Sequence, residues 1–131
     1  MGKRSTSRRL AMQAVYQAEI AASDIDAALK NVLEADKFIP ETEAFAKDLA
    51  KEAWKERGDS DKVIESLSVD WPLDRLGKVD HSILRIALCE LKSGETPPSV
   101  VINEAVELAK KYSGEEAAKF INGILGAYLR K

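Results

Sequence analysis

The sequence has little with which to do covalent or metal chemistry. Its 131 residues contain one cysteine, Cys89, and one histidine, His81. A single thiol excludes an internal disulfide and suits a reducing compartment. One Cys and one His make no metal-ligand set, so His81 reads as a boundary residue and Cys89 as a small packed one. Aromatic residues make up only 6%, with 7 glycines and 4 prolines, and these last two fall mostly at breaks between periodic segments. No Gly-rich phosphate loop or nucleophile elbow appears. No apolar run reaches the length of a membrane span. The start is no signal peptide, because Arg8 and Arg9 lead into Gln13, Gln17 and Glu19. A cytoplasmic protein without a cofactor is the expectation. Alternating period-two patterns are scarce too, and β-branched runs are short, with Ser99–Ile102 the main one.

Acidic residues are missing from one place in particular. None precedes Glu19, while Lys3, Arg4, Arg8 and Arg9 lie in that opening stretch. The chain as a whole has 20 Lys+Arg against 22 Asp+Glu, a net charge of −2. That balance is not the signature of a general nucleic-acid binder, so any anion site must be a local patch.

What is present is a globular composition, 45% hydrophobic and 32% charged. The length fits one domain that buries roughly two-thirds of its unfolded surface. Nearly every segment has helical spacing. The first helix is expected to begin near Ser5–Ser7 on a hydroxyl cap and run to Ala22. It has one face of Leu10, Ala11, Ala14, Val15 and Ala18. Arg9, Met12, Gln13, Tyr16 and Ile20 occupy the other side, where an apolar admixture calls for a second layer or a partner. Ser23 caps a helix to about Asp36. A third starts near Thr42 and ends at Gly58, and Asp59 or Ser60 caps a fourth. Pro72 and Gly77 bracket a short turn. Helices over about 79–92, from Pro97-Pro98 onward, and over about 114–129 complete an all-α bundle. The second-last stretch of breaks aside, the 79–92 segment has an apolar face too wide for a surface helix and reads as the central one.

The charged groups divide. Glu41, Glu43, Asp48, Glu52 and Glu56 read as a solvated face interleaved with Lys47 and Lys51. "GILG" at Gly123–Gly126 reads as small residues permitting close helix packing rather than as a KH-type loop. The opening arginines beside Gln13 and Tyr16 point elsewhere. Arginine offers charge and a planar surface, tyrosine stacks on an unpaired base, and glutamine can read a base edge. That is the chemistry of single-stranded RNA recognition. A solvated tail on a protein-only helical adaptor is the competing reading.

The stretch "DHSILRIALCEL" with "PPSVVINEAVELAKKYSGEEAAKFINGIL", and the opening "RRLAMQAVYQAEI", resemble the NusB family of bacterial transcription antitermination factors. The resemblance is strong over 4–20 and 69–126 and weak through 24–66. It implies an all-α, NusB-like bundle of about seven helices forming a single RNA-binding domain over 1–131. The bundle would comprise two small subdomains at a near-perpendicular arrangement, about 1–66 and about 67–131. It implies no enzymatic activity, and the chain has no room for the RNA cytosine methyltransferase fused to some family members. It implies binding of boxA RNA in ribosomal RNA leader transcripts together with NusE, a small-subunit ribosomal protein. The setting would be an RNA polymerase-associated complex with other Nus factors. Self-association through the same face would mask that site.

Carried onto this sequence, the resemblance assigns Arg4, Arg8, Arg9, Gln13, Tyr16, Lys110, Lys119 and Phe120 to RNA. It assigns Met12, Ile20, Asp80 and Arg85 to the protein partner. Asn103 is placed near the RNA side with Lys110, and Glu116 beside Lys119. Asn122 packs or caps, and Glu107 is structural or solvated. Ser5, Thr6 and Ser7 interrupt an arginine run that is often denser in the family. Affinity for RNA without NusE is therefore expected to be modest.

Overall fold

A computed structural model describes residues 2–68 and 71–131. The side chain of Lys3, and residues 69–70 at the start of the second resembling stretch, lie outside the described residues. The described chain forms α1 (Gly2–Ala21), α2 (Ile25–Glu34), α3 (Pro40–Lys55), α4 (Arg57–Leu67), a 3-10 turn (Leu73–Arg75), α5 (Lys78–Ser93), α6 (Pro98–Tyr112) and α7 (Glu115–Arg130). Among the described residues there is no strand, so the expected all-α bundle of about seven helices is what the chain forms.

Local chemistry sets the boundaries. Asp24, one residue past the expected Ser23, caps α2: its carboxylate accepts from the Ala27 amide at 2.7 Å. Pro40 occupies the first position of α3, where its missing N–H costs nothing. Thr42, expected near this start, is buried within the first turns. Gly58 does not end α3 but lies inside α4, and Glu56 alone separates the two helices. Gly94 ends α5 at φ 72°, a left-handed conformation that a residue without Cβ adopts at no steric cost. α1 begins earlier than expected. Ser7 lies inside α1 rather than at its start, and its hydroxyl donates to the Thr42 carbonyl at 2.8 Å, tying α1 to α3.

The packing follows from residue size. Ala11, Ala14 and Ala18 of α1 are buried, as are Ala46, Ala50 and Ala53 of α3. Small side chains on both helices let the backbones approach closely. α5 is the hub expected from its sequence. Ten consecutive residues, His81 to Glu90, are buried, and the helix touches α1, α3, α4, α6 and α7. Each fully buried aliphatic side chain in this hub, such as Ile83 or Leu84, contributes about 1.5–3 kcal/mol. α4 packs on α5 and α7 as well as on α3. α6 and α7 pack against each other, α1 touches α6, and α1 and α7 do not meet.

Candidate nucleic-acid interface

Two charged residues of α1, adjacent in sequence, have opposite fates. Arg8, expected to meet RNA, is 4% exposed. Its Nε and Nη2 donate to the two oxygens of Glu90 at 2.7 and 2.9 Å, and Nη1 reaches Glu104 at 3.5 Å. Thr96 donates to the same Glu90 carboxylate at 3.3 Å. Burial works against the charge, but these carboxylates outweigh it and hold the guanidinium even more firmly protonated than usual. Arg8 is thus a clamp of α1 onto α5 and α6, buried out of reach of a phosphate. Helical geometry explains why. Arg8, Met12, Val15 and Glu19 fall on one side of α1, and α5 covers that side. The same cover corrects the expectation for Met12, which is 3% exposed and offers no surface to a partner.

Arg9 lies on the other side. Ser5, Thr6, Arg9, Gln13, Tyr16 and Ile20 follow one another along the uncovered flank of α1. Arg9, Gln13 and Tyr16 are half-buried and Ile20 is exposed. The Arg9 guanidinium leans on the Gln13 side-chain oxygen at 3.4 Å. Arg9, Ser5 and Thr6 form one wall of an open cleft of about 500 Å³ whose other wall is α6. There Lys110, Lys111 and Tyr112 face them, with Glu104 and Glu107 between. Glu104 is engaged by Arg8, and Glu107 pairs with Lys110 at 3.6 Å. Among the described residues Arg9 and Lys111 have no carboxylate partner, so the cleft keeps unneutralised positive charge beside an exposed tyrosine ring. Lys111 adjoins Lys110 but has no role assigned from the sequence, and Tyr112, whose helical spacing with Val101, Ala105 and Ala109 predicts burial, is exposed instead.

The other basic candidates are placed apart from this cleft. Arg4 points to the opposite flank of α1, about 140° around the helix from Arg9, and its guanidinium stacks on Phe45 of α3 at 3.9 Å. Lys119 and Phe120 sit on α7, which does not touch α1. They line a different cleft with Leu67, Trp71 and Gly123. The expectation of one surface joining the first arginines to Lys119 and Phe120 is therefore corrected to two separate patches. Lys119 is exposed and Phe120 half-buried. Of the neighbours, Asn103, Glu116 and Asn122 are exposed.

Of the partner candidates, Ile20 is exposed and Asp80 half-buried. Arg85 is not available: it is 4% exposed. Its Nε and Nη2 donate to Asp61 at 3.1 and 2.8 Å, and Nη1 donates to Glu19 at 2.8 Å. His81 Nε2 completes the network, 2.6 Å from Asp61. Three helices, α1, α4 and α5, meet in this cluster. Sequence reasoning missed Asp61 altogether. Burial raises its pKa, yet hydrogen bonds from His81 and Arg85 more than offset this and hold it at about 2. The hydrogen bond from Arg85 likewise lowers the pKa of Glu19.

A carboxylate whose pKa is lower folded than unfolded stabilises the fold above its unfolded value, here 3.8, and loses that contribution as pH falls through about 2. The contribution is about 2 kcal/mol at neutral pH. Urea denaturation of the native chain between pH 5 and 2 should show this loss, whereas Asp61→Asn should be less stable at pH 7 and flatter across the window. Equal slopes for the two proteins would contradict the network's role.

Cys89 is buried, and burial first, with Glu56, Glu52 and Glu90 adding to it, pushes its thiol up to about 12. It is a packed residue, as the sequence suggests. Among the described residues no cluster of three metal-ligating side chains occurs, and no helix is long and apolar enough to cross a membrane.

Comparison with known proteins converges on one group. The NusB family model matches residues 5–130. A transcription antitermination protein NusB from Acetivibrio thermocellus is 42% identical over 131 residues, covering 99% of this chain and 90% of its own length. A solved structure of antitermination factors NusB and NusE in complex with dsRNA superimposes with TM-score 0.91 at 30% identity, covering 99% of this chain and 98% of that one. The solution structure of NusB from Aquifex aeolicus gives TM-score 0.86, again at 30% identity, with 99% and 89% covered. On this evidence the chain belongs to the NusB family.

Proposed function

We propose that this protein is a transcription antitermination factor, an RNA-binding adaptor with no chemical step. It binds boxA RNA of ribosomal RNA leader transcripts together with NusE, in an RNA polymerase-associated complex in the cytoplasm. The observation that carries this reading is the α1–α6 cleft. There Arg9 and Lys111 keep charge that no carboxylate among the described residues neutralises, beside Tyr112 and on the flank of α1 that carries Gln13 and Tyr16. The named relatives support it, as does the solved NusB–NusE complex with dsRNA. In this reading Arg9, Lys110 and Lys111 meet phosphates and Tyr16 stacks on an unpaired base. Arg8 holds α1 in place. NusE takes the Ile20 end of the same flank, and its RNA contacts supply affinity that three cations alone do not.

The test is binding of boxA RNA and of a scrambled RNA, each single-stranded and duplex, to the protein with and without NusE. Selective binding of the single-stranded boxA sequence, strengthened by NusE, is expected. Equal binding of the scrambled RNA, or none, favours the protein-only adaptor. Within this experiment Tyr16→Ala should weaken RNA binding by about 1–3 kcal/mol through lost stacking. A loss seen only in NusE binding would move Tyr16 to the protein interface.

A further inference from the structure

Among the described residues α2 packs on α1 and α3 and meets no other helix, so it is covered on one side only. On the open side α2 and α3 form a cleft of about 400 Å³. Leu29 and Leu33 close its floor and are themselves buried, so the cleft presents charge and the methylenes of its lysines. One contact fixes the register of its walls. Lys51 Nζ lies 3.5 Å from the Asp26 carboxylate, which sets the far part of α3 against the start of α2 in an antiparallel pair. Four residues make about one turn, or about 6 Å of rise. One such step along both helices brings Lys30 opposite Lys47, and a second brings Glu34 opposite Glu43. All four line the cleft. None has an ion-pair partner among the described residues, although each has an opposite charge four residues away on its own helix.

Two facing cations beside two facing anions do nothing for the fold, because like charges across a gap repel. A ligand that sets an acid between the lysines and a base between the glutamates removes both repulsions. Such a ligand carries an acid and a base about 6 Å apart along its length, which on an α-helix is a spacing of four residues on one face. An extended strand needs a sheet edge to pair with, and the described residues form no strand. A nucleic-acid strand is repelled by Asp26, Glu34 and Glu43 on the same walls. A second copy of this chain can match the charges about a two-fold axis, but it sets one concave cleft against another and fills neither. We infer that the α2–α3 cleft docks an amphipathic helix of a protein partner. An acidic residue of that helix lies between Lys30 and Lys47, and a basic residue four positions away lies between Glu34 and Glu43. The basic end points toward the connection from α2 to α3. There Ile39, 45% exposed and one turn before Glu43, gives the helix an apolar contact. Neither α2 nor α3 touches α6, so this cleft is separate from the α1–α6 cleft and does not rest on the RNA reading.

The experiment selects a displayed library of helical peptides of about 20 residues, long enough for an isolated helix, against the full chain. Enriched peptides are then titrated into the native protein and into Lys30→Glu with Lys47→Glu. The enriched sequences should carry an acid and a base four residues apart. The double reversal should weaken them about tenfold or more. Replacing the acid of such a peptide by lysine should invert the preference, so that it binds the reversed chain better than the native one. Lys55→Glu with Lys62→Glu, the same change of charge outside the cleft, should leave native affinity. All these side chains are exposed, so urea denaturation should find every variant folded. No enriched peptide, enriched peptides without that spacing, or equal binding to native and reversed chains overturns the docking site. Loss of boxA RNA or NusE binding in the double reversal also overturns it and gives the cleft to that ligand. A native dimer that the reversal dissociates gives it to a second copy. Failure of RNA binding by the native complex, with the peptides behaving as expected, removes the RNA reading and leaves the α2–α3 site standing.

Discussion

Arg8→Ala should lower folding stability by about 3–5 kcal/mol and leave the salt dependence of RNA binding unchanged. Arg8 is buried with its two-pronged partner Glu90. Removing one member of a buried ion pair leaves the other charge uncompensated in a medium that solvates it poorly, and this is the costly way to break such a pair. Replacing both partners, as in Arg8→Met with Glu90→Leu, should recover most of the loss, because the desolvation cost disappears with the charges. Urea denaturation of the single and double variants measures both effects. A loss below about 1 kcal/mol for Arg8→Ala would mean that the guanidinium is not committed to the fold and is available to ligands. Against a typical domain stability of about 5–15 kcal/mol, the expected loss is large enough to deplete the folded protein in cells.

Arg85→Ala should be comparably damaging, about 3–5 kcal/mol, because Asp61 and Glu19 both lose their counter-charge. Arg85→Lys discriminates between charge and geometry. A lysine ammonium is a point charge and cannot reproduce a fork that grips Asp61 with two nitrogens while a third reaches Glu19. The lysine variant should therefore recover only part of the stability in the same urea titration. Full recovery would show that charge alone matters and that the joint of α1, α4 and α5 does not depend on the guanidinium plane.

These two arginines also show what the sequence discloses and what it withholds. The helices themselves are legible. Apolar residues recur at helical spacing, and Pro40, Gly94 and Pro98 mark starts and stops because their backbone chemistry allows few alternatives. The central position of α5 is visible in the width of its apolar face. The cap of α2 is displaced by one residue because Ser23 and Asp24 are both competent caps and only the turn decides. The fate of Arg8 is not legible from its neighbours. Its partner Glu90 lies 82 residues away, and a wheel cannot tell a basic residue at an apolar boundary from a solvated one. A signal was nevertheless present: Arg85 and Glu90 fall in the helix whose apolar face is too wide for the surface, and buried charges need partners. Arg8 shares its face with Met12 and Val15, which marks it for that role more than for RNA. Arg9 and Lys110 line one cleft while Lys119 and Phe120 do not join it, because the packing of α6 between α1 and α7 is a tertiary fact.

The most direct test of the central claim is the slope of log K against log salt for boxA RNA binding to the protein–NusE complex, comparing the native chain with Arg9→Ala, Lys110→Ala, Lys111→Ala combined. Each lost phosphate contact flattens the slope by about 0.7 on a single strand. The account predicts a slope shallower by about 2 with the variant still folded in a urea titration, because none of the three side chains is in a buried ion pair. An unaltered slope in a fully folded triple variant would contradict it and place the RNA elsewhere on the molecule.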